Sequence, residues 1–197
     1  MSVPEAVGDK IKGAISAYDK AIAAEEPFFD ILGPLYQELA SRGGKQILCQ
    51  FFTPWSVASM MARMVEPPQN RQGSPRLLST CDPTCGSGVM MLATASAILN
   101  THGPDGLRGW SFYGCDLDPI CSRMMAVQFL ANCASHRLEV GEVIVFCGDS
   151  LRVDHEKVLV AHATAPGVLV APSNATFRQE LIADAARSSG VLPERVL

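Results

Sequence analysis

Apolar and polar residues along this chain fall into two patterns, a helical period and short continuous apolar runs. Residues 3–24 place Val3, Val7, Ala14, Ile15, Tyr18 and Ile22 on one face at helical spacing, with lysines and acids on the other. That spacing predicts an amphipathic helix. Pro27 and Gly33-Pro34 punctuate the next stretch, and a short second helix is predicted over 35–42, ended by Gly43-Gly44. Residues 50–54 (Gln-Phe-Phe-Thr-Pro) predict an extended segment, because the residue before a proline is pushed out of the helical region. Ser56 offers a cap for a third helix carrying Val57, Met60, Met61, Met64 and Val65. Pro67-Pro68 closes it, and 69–75 reads as an exposed loop. Beyond this point strands predicted at 77–81, 110–115, 143–147 and 167–171 alternate with helices at 89–99 and 120–132, and a last helix is predicted over 177–188. The alternation predicts an α/β fold, a parallel sheet of right-handed crossover units behind a helical N-terminal segment.

Composition excludes several classes without changing that picture. The chain has 197 residues, 48% hydrophobic and 18% charged, which suffices for a packed core and excludes a disordered or collagen-like protein. Its apolar stretches stop short of the ~20 residues a membrane-spanning helix needs. Residues 1–24 carry Glu5, Asp9, Lys10, Lys12, Asp19 and Lys20 and no apolar signal core, so no membrane and no secretion are expected, and a cytoplasmic location is. Sixteen basic and twenty acidic residues give a formal charge of −4, where a self-sufficient nucleic-acid binder shows a basic excess. Seven cysteines, with no C-x-x-C pair, predict reduced thiols rather than a disulfide framework.

The chemistry concentrates where strands end. In an open α/β sheet, ligands bind beyond the carboxyl ends of the strands. The first strand ends in Asp82-Pro83-Thr84-Cys85-Gly86-Ser87-Gly88, which leads into a helix. Its glycines allow a tight turn and close backbone approach, and the helix N-terminus offers N–H groups to an anion. Asp82 could accept from an ammonium group, although a plain strand-to-helix turn accounts for the same residues. The second strand ends in Asp116-Leu117-Asp118-Pro119, with Asp116 suited to ribose hydroxyls and Asp118 to capping the next helix. The third ends in Gly148-Asp149-Ser150-Leu151, where Asp149 could accept from an adenine amino group or serve as a turn acid.

Competing sites fit less well. No lysine follows Gly88, as a phosphate-binding P-loop requires, and Met91 stands where a dinucleotide fingerprint needs its third glycine. The pairs Met60-Met61, Met90-Met91 and Met124-Met125 are expected in the core. Cys81, Cys85, Cys115 and Cys121 lack the paired spacing of a structural zinc site and are expected as buried thiols, so no metal is expected. His102, His136, His155 and His162 fall on predicted loops or helix ends, with no Cys–His nucleophilic arrangement.

Together, D-P-T-C-G-S-G, the acid Asp116 and the G-D-S-L segment resemble S-adenosylmethionine-dependent methyltransferases. With Phe51-Phe52-Thr53-Pro54 upstream, the chain resembles more narrowly the adenine-specific DNA methyltransferases, as in the modification subunits of type I restriction–modification systems. The resemblance covers roughly 45–155. It implies a Rossmann-like methyltransferase fold, a helical N-terminal segment over 1–48 and an S-adenosylmethionine-binding domain over 49–197. It implies as cofactor residues Phe52, Thr53, Pro54, Asp82, Thr84, Gly86, Gly88, Asp116, Leu117, Asp149 and Ser150. In that family the F-[FY]-T-P segment folds over the methionine end, the glycine loop cradles the same end, the second acid holds the ribose and the third reads the adenine.

One element of the resemblance breaks. The family's catalytic [DN]-P-P-[YF], whose amide and carbonyl orient the target amine while the aromatic stacks on a flipped base, occurs nowhere in this chain. Residues 167–177 stand in its place, with Ala171 at the catalytic position, Ser173 for the second proline, and Asn174 and Phe177 as shifted substitutes. Four predicted strands also fall short of the family's seven, so an incomplete sheet is expected. Two readings remain open: a DNA adenine methyltransferase, or a catalytically silent methyltransferase-fold module acting as a regulator or subunit. DNA contact is expected only through oligomerisation or with a partner, such as a specificity subunit.

Overall fold

The computed structural model describes residues 5–42, 52–65, 67, 76–152 and 157–168. Its elements run α1 (Glu5–Ala24), α2 (Leu32–Arg42), α3 (Trp55–Val65), β1 (Leu78–Asp82), α4 (Val89–Arg108), β2 (Trp110–Asp116), α5 (Pro119–His136), β3 (Glu142–Cys147) and β4 (Val158–Thr164). The fold is a mixed α/β arrangement whose four described strands lie in the order β1-β2-β3-β4. Among the described residues, no helix is long and apolar enough to cross a membrane.

Three strands follow the parallel expectation. β1 pairs with β2 and β2 with β3, both parallel, in registers Leu78↔Trp110 and Phe112↔Val143. Successive right-handed crossovers in one direction place their helices on one face. Phe112, Val143 and Val145 therefore meet Leu92, Ile98 and Leu107 of α4 and Met125 and Phe129 of α5 in a single core. The opposite face carries a smaller cluster of Cys115, Ile144 and Phe146.

The fourth strand departs from expectation. β4 covers Val158–Thr164, not 167–171, and it pairs with β3 antiparallel, with an irregularity between Val145 and Phe146. His162 consequently lies on a strand and not on a loop. Its Nε2 sits 3.2 Å from Oε1 of Glu142, whose other oxygen accepts from Ser111 Oγ at 2.7 Å. Glu142 is almost fully buried, so this pairing satisfies a carboxylate that would be costly alone. Of the predicted strand, Gly167 occupies a left-handed turn and Val168 follows it; 169–171, like the helix over 177–188, lie outside the described residues.

The helices shift in informative ways. α4 extends past the predicted stop at 99 and is broken at Gly103, whose φ of 71° interrupts the ladder just before Pro104. Asp118 caps α5 by accepting from Ile120 N at 2.8 Å, as expected, and Pro119 occupies the first turn. α3 begins at Trp55, with the Pro54 carbonyl accepting from Val57 and Ala58, so Ser56 lies inside the first turn and does not cap it. Met91 and Met125 are core residues, whereas Met60 and Met61 on α3 are exposed.

Phe129 joins the sheet to the N-terminal segment. Its ring lies 4.8 Å from that of Phe112 on β2 and 5.3 Å from that of Phe28, which precedes α2. Phe129→Ala should therefore cost about 3–5 kcal/mol in a chemical-denaturation measurement. A loss below about 1 kcal/mol would contradict this packing.

Candidate functional site

Because β1, β2 and β3 run parallel, Asp82, Asp116 and Asp149 emerge at the same end of the sheet. The loops leaving these strands are tied in a row by short backbone bonds. Cys85 N donates to the Cys115 carbonyl at 2.9 Å, and Gly148 N donates to the Asp116 carbonyl at 2.9 Å. The Asp116 side chain completes the row. Its Oδ2 accepts from Gly86 N at 2.8 Å and its Oδ1 from Asp118 N at 2.8 Å. Each carboxylate oxygen retains one further acceptor site for a ligand hydroxyl.

The glycines are used for their backbone freedom. Gly86 and Gly88 have φ of 52° and 92°, the left-handed region that L side chains rarely adopt. A Cβ on Gly88 would lie 2.7 Å from Met125 Cγ and 3.2 Å from its Cα, so α5 packs directly against the loop. A Cβ on Gly86 would lie 3.2 Å from two ring carbons of Phe52. Phe52 in turn stacks on Tyr36 of α2, with centroids 5.6 Å apart and planes 21° apart. The F-T-P segment thus reaches the glycine loop through Phe52.

Asp82 differs from Asp116 in its electrostatics. One of its oxygens accepts from Thr84 N at 3.1 Å in a tight turn. Burial and then the negative charge of Asp116 push its carboxyl above the usual range, against the opposing Thr84 bond. Asp149 closes its own turn by accepting from Leu151 N at 3.0 Å. Leu117 is 71% exposed beside the second loop, and Ser150 and Thr53 are half-buried. Ala171, Ser173, Asn174 and Phe177 lie outside the described residues.

Three thiols near the site are held toward their protonated form. Burial pushes Cys115 up to about 11, Cys121 up to about 12 and Cys85 higher still, with neighbouring acids adding to the shift at each. Cys81 is exposed rather than buried, contrary to expectation.

Pattern reasoning passed over the residues that brace the loop from behind. Ser87, fully buried between the two glycines, donates to Asp30 Oδ2 at 3.3 Å. Gln128 donates to the Ser87 carbonyl at 2.9 Å, and Asn132 accepts from Phe28 N at 2.6 Å. A signal for the last two was present. Gln128 and Asn132 stand four apart on the face of α5 that also buries Met125 and Phe129, and polar residues on a core face mark a hydrogen-bonded partner.

A family model described as N-6 DNA Methylase matches residues 25–191, a span that includes Asp30, the F-T-P segment and all three strand-end acids. Neither the curated proteins nor the solved structures gave a match.

The contrast between the two acids yields opposite expectations for one substitution. The raised Asp82 carboxyl disfavours the folded state as pH climbs from below the ordinary carboxylate range through its shifted value. Asp82→Asn keeps the acceptor for Thr84 and removes the charge, so at pH 7 it should raise the melting temperature, with the gain vanishing in acid. Asp116→Asn turns an amide N–H toward one of two backbone donors and should cost about 1–3 kcal/mol. Equal melting temperatures for the two variants at pH 7 would refute this distinction.

Proposed function

We propose, because the chain belongs to the N-6 DNA methylase family, that the carboxyl ends of β1, β2 and β3 hold S-adenosylmethionine and serve methylation of the exocyclic amine of adenine in DNA. The observation that carries this reading is the row of three loops fastened by Asp116, with a desolvated acid on one side and a turn acid on the other. The residues fit such a ligand. The left-handed glycine turn presents backbone where a Cβ would crowd the Phe52 ring at Gly86 and force Met125 to shift at Gly88. Asp82, pushed above its usual range, is suited to an ammonium group. The free acceptor sites of Asp116 suit vicinal hydroxyls, and Asp149 suits an amino donor on a purine.

The bound cofactor would supply an electrophilic methyl group on a sulfonium centre. The chain's own residues bind and orient: Asp82, Gly86 and Gly88 at the amino-acid end, Asp116 at the ribose, Asp149 at the base, and Phe52 over the glycine loop. Holding donor and acceptor in line is the main source of rate for such a transfer: the amine nitrogen would bond the methyl carbon as the carbon–sulfur bond breaks, and the amine would then give up a proton to solvent. The acidic balance of the chain supports DNA engagement through oligomerisation or a partner subunit, as a type I modification complex would provide.

A second reading is favoured by one observation. The family's [DN]-P-P-[YF] occurs nowhere in this sequence, so no Asn or Asp in that setting is offered to an adenine amine. On this reading the chain binds the cofactor and acts as a silent regulator or subunit.

Titration calorimetry with S-adenosylmethionine and its demethylated product tests the binding claim, and saturable heat with both is expected. No heat with folded protein would overturn it. A methyl-transfer assay on adenine-rich DNA, with and without candidate partner subunits, separates the two readings. Transfer abolished by Asp82→Ala supports the enzyme; persistent inactivity with intact binding supports the silent module.

A further inference from the structure

The glycine loop is gripped from behind by a carboxylate that belongs to the N-terminal segment. Asp30 is 2% exposed, and its three hydrogen-bond donors are all neutral: Gln128 Nε2 at 2.7 Å, Gly33 N at 3.0 Å and Ser87 Oγ at 3.3 Å. Gln128 is fully buried and fully used. Its amide nitrogen donates to both Asp30 and the Ser87 carbonyl, and its oxygen accepts from Ile31 N and Leu32 N, each at 2.8 Å. A Cβ on Gly33 would fall 2.3 Å from Asp30 Oδ2 and 2.7 Å from Ser87 Oγ, so the segment sits directly on the loop.

These bonds end on the one residue between the two left-handed glycines. Ser87 is held at its hydroxyl and at its carbonyl, so the turn on either side of it has little freedom. From the same segment, Tyr36 stacks on Phe52, whose ring covers Gly86. Two separate links therefore converge on one loop. Hydrogen bonds to a buried charge are the stronger kind, while a carboxylate left buried without them is costly.

We propose that Asp30 is a positioning residue for the ligand loop: through Ser87 and Gln128 its carboxylate holds Gly86 and Gly88 in the binding conformation, so that docking of residues 25–36 and loading of the site are one coupled equilibrium. The proposal rests on the cofactor reading above for its ligand, but not for its mechanical content. By linkage, a ligand that needs the ordered loop tightens the docking of the segment by the same factor as the docked segment tightens the ligand.

The test compares Asp30→Ala and Asp30→Asn with the wild-type chain in two measurements. The first is calorimetric affinity for S-adenosylmethionine and its demethylated product. The second is amide exchange at Gly86 and Gly88 without ligand, with Phe112 and Val145 as internal controls. Asp30→Ala should weaken binding by about tenfold or more and speed exchange at the two glycines, leaving Phe112 and Val145 protected. Asp30→Asn keeps the acceptor for Gly33 and Gln128 and can donate to Ser87 Oγ, so it should recover affinity to within about threefold of wild type. Wild-type affinity or wild-type glycine exchange in Asp30→Ala would overturn the proposal. So would equal loss of protection at Phe112 and Val145 in both variants, which marks a general structural role. Should the wild-type chain bind neither ligand, the cofactor reading falls while the exchange experiment still decides the role of Asp30.

Discussion

The Asp116 side chain is the constraint on which the strand-end loops of this molecule depend. Parallel pairing delivers three strand ends to one place, but it does not fix the loops that leave them. A single carboxylate does so by receiving the amide of Gly86 from the loop before it and that of Asp118 from its own, while its carbonyl receives Gly148 from the loop after it. Charged acceptors hold backbone amides more firmly than neutral ones, so this residue fixes the three strand-end loops relative to one another. The arrangement also explains why Asp118 and Asp116 divide their work. Asp118 spends its side chain on the first turn of α5, leaving Asp116 alone between the loops.

The N-terminal segment is physically part of the same site. Phe28 enters the main core against Phe129, Asn132 receives its amide, and Gln128 receives those of Ile31 and Leu32. Most of α1, by contrast, presents Val7, Ile11 and Ile15 to solvent, with Ile22 its buried anchor. Helix α5 is the hub of these contacts. It packs Met125 against Gly88 in front, carries Phe129 into the core, and offers two amide side chains to the segment behind.

Much of this was legible from residue order alone. The apolar runs ending in acids located β1, β2 and β3 to within a residue or two, and for β2 and β3 the run is buried on both faces. That Asp118 caps α5 followed from the proline that comes next. Neither the position nor the direction of β4 was legible: the fourth strand was expected at 167–171, and the reversal of Val158–Thr164 rests on its pairing with β3. The Glu142–His162 pair that accompanies it joins residues twenty positions apart. Asp30 was hidden for a similar reason. Two of its three donors lie 57 and 98 positions away, and the local bond to Gly33 N gives the acid only the value of a helix cap.

The like charges of Asp82 and Asp116 carry one more consequence. An acid whose carboxyl is lifted by burial and by a neighbouring anion holds its proton more tightly than it would in water. A cation seated against Asp82 would reverse that preference, so occupation of the site would be accompanied by proton release whenever the solution lies near the lifted value. The measured heat of binding would then depend on the ionisation enthalpy of the buffer, and affinity would fall on acidification. Among the described residues His102, His136 and His162 stand outside this cluster of acids, so pH would be felt at such a site through a carboxylate.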